Sequence, residues 1–406
     1  MKNKFVIIAT CIVILLIVFC IFGLKYFGNM PQVEIQRIVE RDSIIFDSNE
    51  VNDAVLGKLA DYKVVIVGEY HNTAEHVALM GNFATALNRD YGFNNFLIEM
   101  PQAFSWMYED YSMGLIPEVD EKTAYNFWFH TNEIKKIRQY NMTRPLEERI
   151  KISTIDINHS PYAYIMSIEY MLNYIGESHH LKEYSTDLRS IVKNNEEYII
   201  RVVMFKEELS SNKEKFIDEF GEIWYDRLVY MTDIEIESYA SRTASNYLFM
   251  WKSDKLREAV ICSIAELYIK NSEGKVLINV GGNHAQKKPI RGTRIQWLGE
   301  YLSHESPYAK DQTYCMLVIP AEGSIEGGNG KPVTLFDGSR KNELFSIIAE
   351  YAGGFQVFLS FDDDTLKEEK ALMNFHYDTQ SLPPKHIYDG VIILPIGTYV
   401  NPFPDT

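Results

Sequence analysis

The chain has 406 residues, of which 40 are Lys or Arg and 56 are Asp or Glu, so its formal net charge at pH 7 is −16. A surface this acidic repels the phosphate backbone of nucleic acid, which we therefore exclude as a partner. The four cysteines lack the spacing of a zinc knuckle or a disulfide scaffold, because two lie in an N-terminal apolar segment and Cys262 and Cys315 lie in predicted buried elements.

The first element is an apolar segment, Phe5–Leu24, that contains no charged residue. About 20 such residues suffice for a helix to cross the hydrocarbon core of a bilayer. We predict that residues 1–27 form a single-pass transmembrane anchor in the cell membrane. A cleaved signal peptide is the alternative, although no small-residue cleavage site follows the segment. Lys2 and Lys4 precede it, which favours a cytoplasmic N-terminus and an extracytoplasmic body.

Residues 28–57 mix charged and isolated apolar residues, and we predict that they form a juxtamembrane connector before a folded body in residues 58–406. That body contains short apolar runs, often β-branched, of the kind typical of strands buried on both faces. Long stretches with helical periodicity separate the first four runs, as crossover helices do in a parallel sheet. The predicted strands are residues 63–67, 95–98, 150–155, 275–280, 314–319, 355–359 and 390–394.

Two helix starts are marked by capping residues. Asn72 is a predicted N-cap, and Glu75 stands three residues later as its capping-box partner. Ser160 followed by Pro161 marks the second start, with the proline at the first helical position. The residues that follow are rich in helix formers, so we predict an α/β fold with a helical insertion over about residues 161–271. Such a block could lie over the sheet edge as a lid.

Polar residues follow each of the first four predicted strands. Because the carboxyl ends of parallel strands lie at one edge of a sheet, where ligands bind in open α/β folds, we expect these residues to converge. The structural alternative is that strands end in polar residues in any case. The polar clusters are Gly68-Glu69-Tyr70-His71, Glu99, Asp156 with His159, and Asn283-His284.

His71 is the leading candidate for a catalytic group. It precedes the predicted helix, so the positive end of the helix dipole should lower its pKa and keep its imidazole neutral near pH 7. Supported by Glu69 and Glu99, a neutral imidazole can take a proton from water as a general base. His284 is the second predicted acid/base. Arg257 either pairs with the acidic groups and stabilises charge there or forms a surface ion pair.

The same nitrogen and carboxylate groups could instead bind a divalent metal ion that activates the water, and the sequence does not separate the two schemes. The chain has neither a Gly-x-Ser-x-Gly elbow nor a phosphate-binding loop, which argues against a serine hydrolase and an NTPase. The candidate metal ligands are Glu69, His71, Glu99 and His284. The residues predicted to bind substrate are Asp156, His159, Asn283 and His76.

Several motifs resemble those of the erythromycin esterase/ChaN-like superfamily. The segment Val67-Gly68-Glu69-Tyr70-His71-Asn72 is similar to its Gly-Glu-x-His motif, and the spacing to His76 is more like that of ChaN. Further matches follow in the order of the family and span most of the body. They are Phe96-Leu97-Ile98-Glu99, Ile155-Asp156, Arg257-Glu258, Gly282-Asn283-His284-Ala285 and Tyr388-Asp389-Gly390.

The resemblance implies a three-layer α/β sandwich with a mostly parallel sheet. In the esterase branch the motif histidine activates water to hydrolyse macrolactone esters, whereas the ChaN branch binds haem and a Tiki-type group contains metal-dependent proteases. Asn72 stands where the esterases usually have Gly, and a membrane anchor is atypical of cytoplasmic resistance enzymes, so a macrolide is not the expected substrate.

These observations predict a membrane-anchored hydrolase of an ester or amide bond, acting on a small molecule or a peptide. The alternative from another class is a surface protein that binds haem or a metal ion at the same site without turnover. A third hypothesis is a non-catalytic interaction domain.

Overall fold

The computed structural model describes residues 37, 39–47, 51–127, 131–176, 178–244, 250–288, 295–326, 332–334, 348–361 and 386–400. The predicted membrane anchor in residues 1–27 lies outside these residues. Within them, no helix combines the length and the apolar character needed to cross a bilayer.

In the part of the chain that the structure describes, an eight-stranded sheet forms the centre of the fold. The strands, in chain order, are β1 (Ser43–Phe46), β2 (Val64–Glu69), β3 (Phe93–Pro101), β4 (Lys151–Asp156), β5 (Lys275–Gly281), β6 (Thr313–Pro320), β7 (Ser324–Glu326), β8 (Pro332–Thr334), β9 (Gln356–Ser360) and β10 (Gly390–Leu394). Their order in the sheet is β1-β9-β10-β6-β2-β5-β3-β4, while β7 and β8 form a separate two-stranded antiparallel sheet. β9 pairs antiparallel with β1 and β10, and the other neighbours in the large sheet are parallel. The prediction of a mostly parallel α/β sheet is therefore confirmed.

Helices precede and connect the parallel strands. They are α1 (Asp53–Ala60), α2 (Ala74–Tyr91), α3 (Ser105–Met113), α4 (Glu121–Asn126), α5 (Asn132–Asn141), α6 (Pro161–Ile175), α7 (His179–Ile191), α8 (Asn195–Ser211), α9 (Lys213–Phe220), α10 (Glu222–Ala244), α11 (Met250–Asn271) and α12 (Leu298–His304). The helices α6 to α11 all lie between β4 and β5, where the sequence predicts the helical insertion.

Both faces of the sheet are covered by apolar side chains. On β2, Val65 and Val67 pack into one cluster together with residues of α2, α3 and α6. Val64 and Ile66 point the other way and pack into a second cluster with residues of α11 and α12. Because alternate side chains of a strand face opposite sides, a strand covered on both faces needs a continuous apolar run. This requirement explains why the β2 sequence is apolar at each of these positions.

The folded part begins earlier than predicted. β1 lies within residues 28–57, which were expected to form only a connector, and α1 already starts at Asp53. β1 pairs antiparallel with β9 at the edge of the sheet, and its first three residues are only partly covered. A four-residue edge strand of this kind lacks the long apolar run by which the interior strands were predicted.

The turn between β2 and α2 differs from the predicted N-cap. Thr73, rather than Asn72, is the residue before the first helical turn. Asn72 has a φ of 57°, in the left-handed region that asparagine tolerates better than most residues. Glu75 does not close a capping box but accepts hydrogen bonds from the N–H and hydroxyl of Thr398, both at 2.8 Å. The turn holds His71 at the end of β2, ahead of the helix.

Candidate functional site

The carboxyl ends of β2, β5, β3 and β4 lie side by side and bring the predicted residues together. Glu69 ends β2, Glu99 lies near the end of β3, and Asp156 ends β4. His284 follows β5 in a tight turn, in which its N–H donates to the carbonyl of Gly281 at 2.9 Å. These strand ends therefore form one polar edge, as expected for a ligand site in a parallel sheet.

Glu69 bridges two imidazoles. Its Oε1 is 2.9 Å from Nδ1 of His71, and its Oε2 is 2.8 Å from Nε2 of His76. Asn279 on β5 also donates its Nδ2–H to Oε2, at 3.2 Å. Burial alone would raise the pKa of Glu69, but the charges and hydrogen bonds of His76 and His71 hold that pKa well below its usual range. The carboxylate is therefore ionised at neutral pH.

His71 is the exposed member of this group, with 50% of its side chain accessible. Partial burial lowers its pKa, but the hydrogen bond to Glu69 and the charges of Glu69 and Glu99 outweigh burial and raise the pKa to about 9. The expectation of a neutral imidazole near pH 7 is therefore wrong. The reason is that the helix dipole is a partial charge, whereas two full carboxylate charges act on this ring.

The side chains of His71 and Glu99 both lie close to the backbone of Gly281. A Cβ atom at this position would lie 2.9 Å from Nε2 of His71 and 3.3 Å from Oε2 of Glu99. The N–H of Gly281 donates to Oε2 of Glu99 at 2.5 Å. Because a glycine leaves this space free, Nε2 of His71 and the Glu99 carboxylate both border it.

Arg257 on α11 joins the carboxylates of β3 and β4. Its Nε and Nη2 donate to the two oxygens of Asp156 at 2.9 and 2.7 Å, and Nη2 also donates to Oε1 of Glu99. Burial disfavours its charge, but Asp156 and Glu99 raise the pKa of the guanidinium above its usual range. Arg257 thus belongs to the acidic site and does not form a surface ion pair.

His284 is buried between two carboxylates. Its Nδ1 forms an ion pair with Glu258, and its Nε2 is 3.2 Å from Oε1 of Glu99. Burial lowers its pKa, but the charges of Glu99 and Glu258 raise the pKa to about 10. Glu258 was not among the predicted site residues, although it stands beside Arg257 in one of the matched motifs. It also accepts the backbone N–H of Leu298 at 3.1 Å.

The residues predicted to bind substrate have different environments. His159 is exposed, and its Nε2 is 2.7 Å from Oδ2 of Asp156. Asn283 is exposed as well, and its Oδ1 accepts a hydrogen bond from Gln286 at 3.0 Å. His76 is only 1% exposed and lies behind Glu69. The prediction that His76 contacts substrate is therefore wrong, because Glu69 separates it from the open side of the site.

The four candidate metal ligands do not form a coordination group. Within the described residues, no three His, Cys, Asp or Glu side chains are placed to hold an ion together. Glu69 instead accepts a hydrogen bond from His71 and lies within ion-pair distance of His76, and Glu99 accepts hydrogen bonds from Arg257 and a backbone N–H. Metal ligands must offer free lone pairs, so an ion bound by these groups would require the contacts to rearrange.

No protein-family model matches the chain, and no curated protein sequence matches it either. Solved structures do match. A protein from Bacillus cereus has a TM-score of 0.66 and 13% identity, covering 93% of this chain and 100% of that one. A succinoglycan biosynthesis protein has a TM-score of 0.67 and 14% identity, covering 91% of this chain and 98% of that one.

An erythromycin esterase, a mutant of EreC in its open conformation, matches with a TM-score of 0.62 and 13% identity, over 88% of this chain and 98% of the esterase. The chain has the erythromycin esterase fold. The resemblance predicted from the sequence motifs is thereby confirmed in the fold. Identities this low leave the reaction to be argued from the site itself.

A haem-bound ChaN from Campylobacter jejuni also matches, with a TM-score of 0.29 and 15% identity over 68% of this chain and 91% of ChaN. A TM-score this low does not indicate a shared fold. Haem binding therefore stays a prediction from the sequence resemblance.

Proposed function

We propose that this protein hydrolyses an ester or amide bond of a small molecule or peptide, with His71 as the group that activates water. The observation that carries the proposal is the position of its ring. Nδ1 is held by Glu69 at 2.9 Å, half of the side chain is accessible, and Nε2 borders the space over Gly281 next to Glu99. A histidine held at one nitrogen by a carboxylate and open at the other is the arrangement that general-base catalysis requires.

The contacts determine which nitrogen of His71 acts as the base. Nδ1 faces a carboxylate, so the neutral ring keeps its proton there and presents a lone pair at Nε2. When Nε2 takes a proton from water, the hydroxide forms a bond to the carbonyl carbon of the substrate. Glu69 stabilises the imidazolium, which then gives the proton to the leaving group as the carbonyl–heteroatom bond breaks.

His284 and Arg257 have a supporting role in this proposal. Both contact Oε1 of Glu99, and Arg257 also binds Asp156. Their positive charges keep two buried carboxylates ionised and fixed at the edge of the site. Because His284 retains its proton at neutral pH, it is better suited to act as an acid than as a base.

The test compares hydrolysis of a panel of esters and amides by the wild-type protein, His71→Ala and a control, His180→Ala. The control histidine lies in the helical insertion, where it pairs with Glu208 at 3.3 Å. We expect His71→Ala to lose about 100-fold or more of kcat/KM at unchanged folding, as is typical for a lost general base. Full activity in His71→Ala would contradict the proposal. Metal analysis and a haem absorbance titration of the same samples test the alternative, binding without turnover.

We also propose that residues 1–27 anchor the protein in the cell membrane, with the body extracytoplasmic. The uncharged segment Phe5–Leu24 and the lysines before it support this proposal. We expect the full-length protein to stay in the membrane pellet after alkaline carbonate extraction and to be digested when protease is added from outside. Release into the supernatant with a shortened N-terminus by mass spectrometry would instead identify a cleaved signal peptide.

A further inference from the structure

His159 is an exposed histidine whose ring is held at one nitrogen by a buried carboxylate. Its side chain is 54% accessible, and its Nε2 is 2.7 Å from Oδ2 of Asp156, which is 1% exposed. Burial alone would raise the pKa of Asp156, but the hydrogen bonds from His159 and Arg257 lower it, so this carboxylate is ionised at neutral pH. An ionised carboxylate only accepts hydrogen bonds. Nε2 of His159 therefore carries a hydrogen, and the neutral ring has its lone pair at Nδ1.

Asp156 has charged donors besides this histidine. Its Oδ1 accepts the backbone N–H of Ile157 at 2.7 Å and Nε of Arg257 at 2.9 Å, and its Oδ2 accepts Nη2 of Arg257 at 2.7 Å. Each oxygen of the carboxylate thus already has a guanidinium donor. A hydrogen bond from a half-exposed histidine adds little stability to such a pair, so a purely structural role explains His159 poorly.

The backbone on both sides of His159 is fixed as well. Asn158 donates its N–H to Oγ of Ser238 at 2.9 Å, and its carbonyl accepts a hydrogen bond from Arg242. Ser160 caps the N-terminus of α6 with its hydroxyl. A ring held by its backbone and by a buried carboxylate has little freedom to lose when a ligand binds. Nδ1 of His159 is therefore a preorganised hydrogen-bond acceptor at the edge of the site.

The position of His159 along the sheet edge separates it from the bond that His71 attacks. β2 and β4 are separated by β5 and β3, and three strand spacings of about 4.8 Å place their ends about 14 Å apart. The ring of His71 reaches over Gly281 on β5, which leaves about 10 Å between the two histidines. Groups that act on one bond lie about 3 Å from it, so His159 meets a different part of the substrate.

We propose that His159 is a substrate-binding residue that selects esters or amides with a hydrogen-bond donor, a hydroxyl or an ammonium group, about 10 Å from the scissile carbonyl. The proposal rests on the role of His71 given above and names the substrate class of that site. A lone pair at Nδ1 accepts such a donor, whereas the carboxylate of Asp156 beside the ring and the net charge of −16 disfavour an anion there. Because the contact is remote from the reacting atoms, its loss should raise KM more than it lowers kcat.

The test measures kcat and KM of the full-length protein for two series of esters. One series consists of p-nitrophenyl esters of octanoic acid and the other of acetate esters of octanol. In each series the far end of the chain carries hydrogen, a hydroxyl, an ammonium or a carboxylate group. One added hydrogen bond is worth a factor of about five in kcat/KM, so we expect the wild type to prefer a donor-bearing ester over its ω-hydrogen counterpart by that factor in one series.

Three variants show whether this preference comes from His159. His159→Phe keeps a ring without an acceptor and should lose the preference. His159→Asn has an acceptor oxygen near the position of Nδ1 and should restore part of it. His180→Phe is the control, since His180 lies in the helical insertion and pairs with Glu208, and it should keep the preference in full. A larger gain for ammonium than for hydroxyl would identify the donor as a cation attracted by Asp156.

The same preference in the wild type and in folded His159→Phe would overturn the proposal. A preference for the ω-carboxylate would overturn it too, because an anion needs a charged ring and not an acceptor. If no form hydrolyses either series, the proposed hydrolase function fails, and the intact esters then serve as ligands for ¹⁵N NMR of the His159 ring. A shift of the Nδ1 resonance with the ω-hydroxyl ester but not with the ω-hydrogen ester would keep the binding role, and no shift would overturn it.

Discussion

At the scale of single residues, the protonation of His71 determines when the site can work. The structure raises its pKa to about 9, so the ring is charged below that pH and becomes a base only as the pH rises through it. We expect kcat/KM for an ester that does not itself ionise to rise from pH 6 and to level off above about pH 9. The pH profile of kcat/KM reports the groups of the free enzyme, so this measurement addresses His71 directly.

A matched variant separates His71 from other titrating groups. Glu69→Gln removes the charge that favours the protonated ring but keeps the shape of the side chain. The midpoint of the pH profile should therefore move to lower pH, even if the maximal rate falls. A profile that is flat between pH 6 and 10, or that keeps its midpoint in Glu69→Gln, would show that His71 is not the base.

Arg257 supports the site through buried ion pairs, and its loss should affect stability. In Arg257→Met, the carboxylates of Asp156 and Glu99 lose their shared donor, and Asp156 has only 1% of its side chain exposed. Breaking a buried pair on one side costs about 3–5 kcal/mol, because the remaining charge stays unpaired. We expect a loss of this size in the free energy of unfolding, measured by urea denaturation.

The control for this change is Arg189→Met. Arg189 binds Glu169 with two hydrogen bonds on the surface, where both side chains are more than a third exposed. Exposed pairs contribute about 0–1 kcal/mol, so this variant should unfold almost as the wild type does. Equal losses in the two variants would contradict the structural role of Arg257.

The site residues that follow strands could be predicted from the sequence, because parallel strands bring their carboxyl ends together. Residues that lie inside a strand or on a helix have no such signal. The charge of His71 at neutral pH could not be predicted either, because its pKa depends on distances between strands that are far apart in the chain. The residues found by the strand rule were Glu69, His71, Glu99, Asp156 and His284. The supporting residues that it missed were Glu258 and Asn279.

At the scale of elements, a buried polar network ties the helical insertion to the end of β4. Glu235 on α10 accepts hydrogen bonds from Asn158 at 2.9 Å, Tyr198 at 2.9 Å and Arg242 at 2.6 Å. Asn158 also accepts the N–H of Ala103 at 3.0 Å. The loop that follows Asp156 and carries His159 is thus held by a helix of the insertion.

Glu235→Ala should loosen this loop. The change removes the acceptor of the Asn158 side-chain amide and of Nη2 of Arg242, although Nη1 of Arg242 still donates to the carbonyl of Asn158. Because these donors lie in a buried network, the change should destabilise the protein by about 3 kcal/mol. We expect amide hydrogen exchange in residues 157–160 to be faster than in the wild type, with a smaller change in the β5 strand. Glu237→Ala is the control, since this glutamate is exposed on the same helix. Equal exchange in both variants would show that the network does not hold the loop.

The elements themselves were predictable to different degrees. The seven predicted strands are all present, because a strand covered by helices on both sides must be apolar along its length. β1 was missed because an edge strand needs no such run, and its partner β9 lies more than 300 residues away. The order of the strands could not be predicted, since neighbours such as β2 and β5 are joined by no local signal.

At the scale of the whole molecule, the buried charges set how stability depends on pH. In the folded state the pKa of His71 is raised from 6.5 to about 9 and that of His284 from 6.5 to about 10. The stability that each protonated histidine contributes to the folded state is therefore complete below pH 6.5 and is lost as the pH rises through its folded pKa. Burial raises the pKa of Glu133 from 4.5 to about 7, so the folded state keeps this proton longer than the unfolded chain does, and stability falls between those two pH values. Glu69 and Glu99 act in the opposite direction, because their pKa values are lowered and their contribution disappears as the pH falls below about 4.5.

Stability should therefore be greatest at mildly acidic pH and should fall towards pH 10. Between pH 7 and 9 the folded state holds a proton on the buried His284 that the unfolded chain releases, and this lowers the free energy of unfolding by about 1.4 kcal/mol per pH unit. His71 acts in the same direction but contributes less, because half of its side chain is exposed and solvent screens its interactions. We expect Tm to decrease across this range. His284→Gln should be less stable than the wild type at pH 6.5. Its stability should fall less steeply with pH, by the equivalent of about one proton, because the buried group no longer titrates. A wild-type Tm that stays constant from pH 6.5 to 10, or an equal slope in His284→Gln, would mean that the carboxylates around His284 do not hold its proton in the folded state.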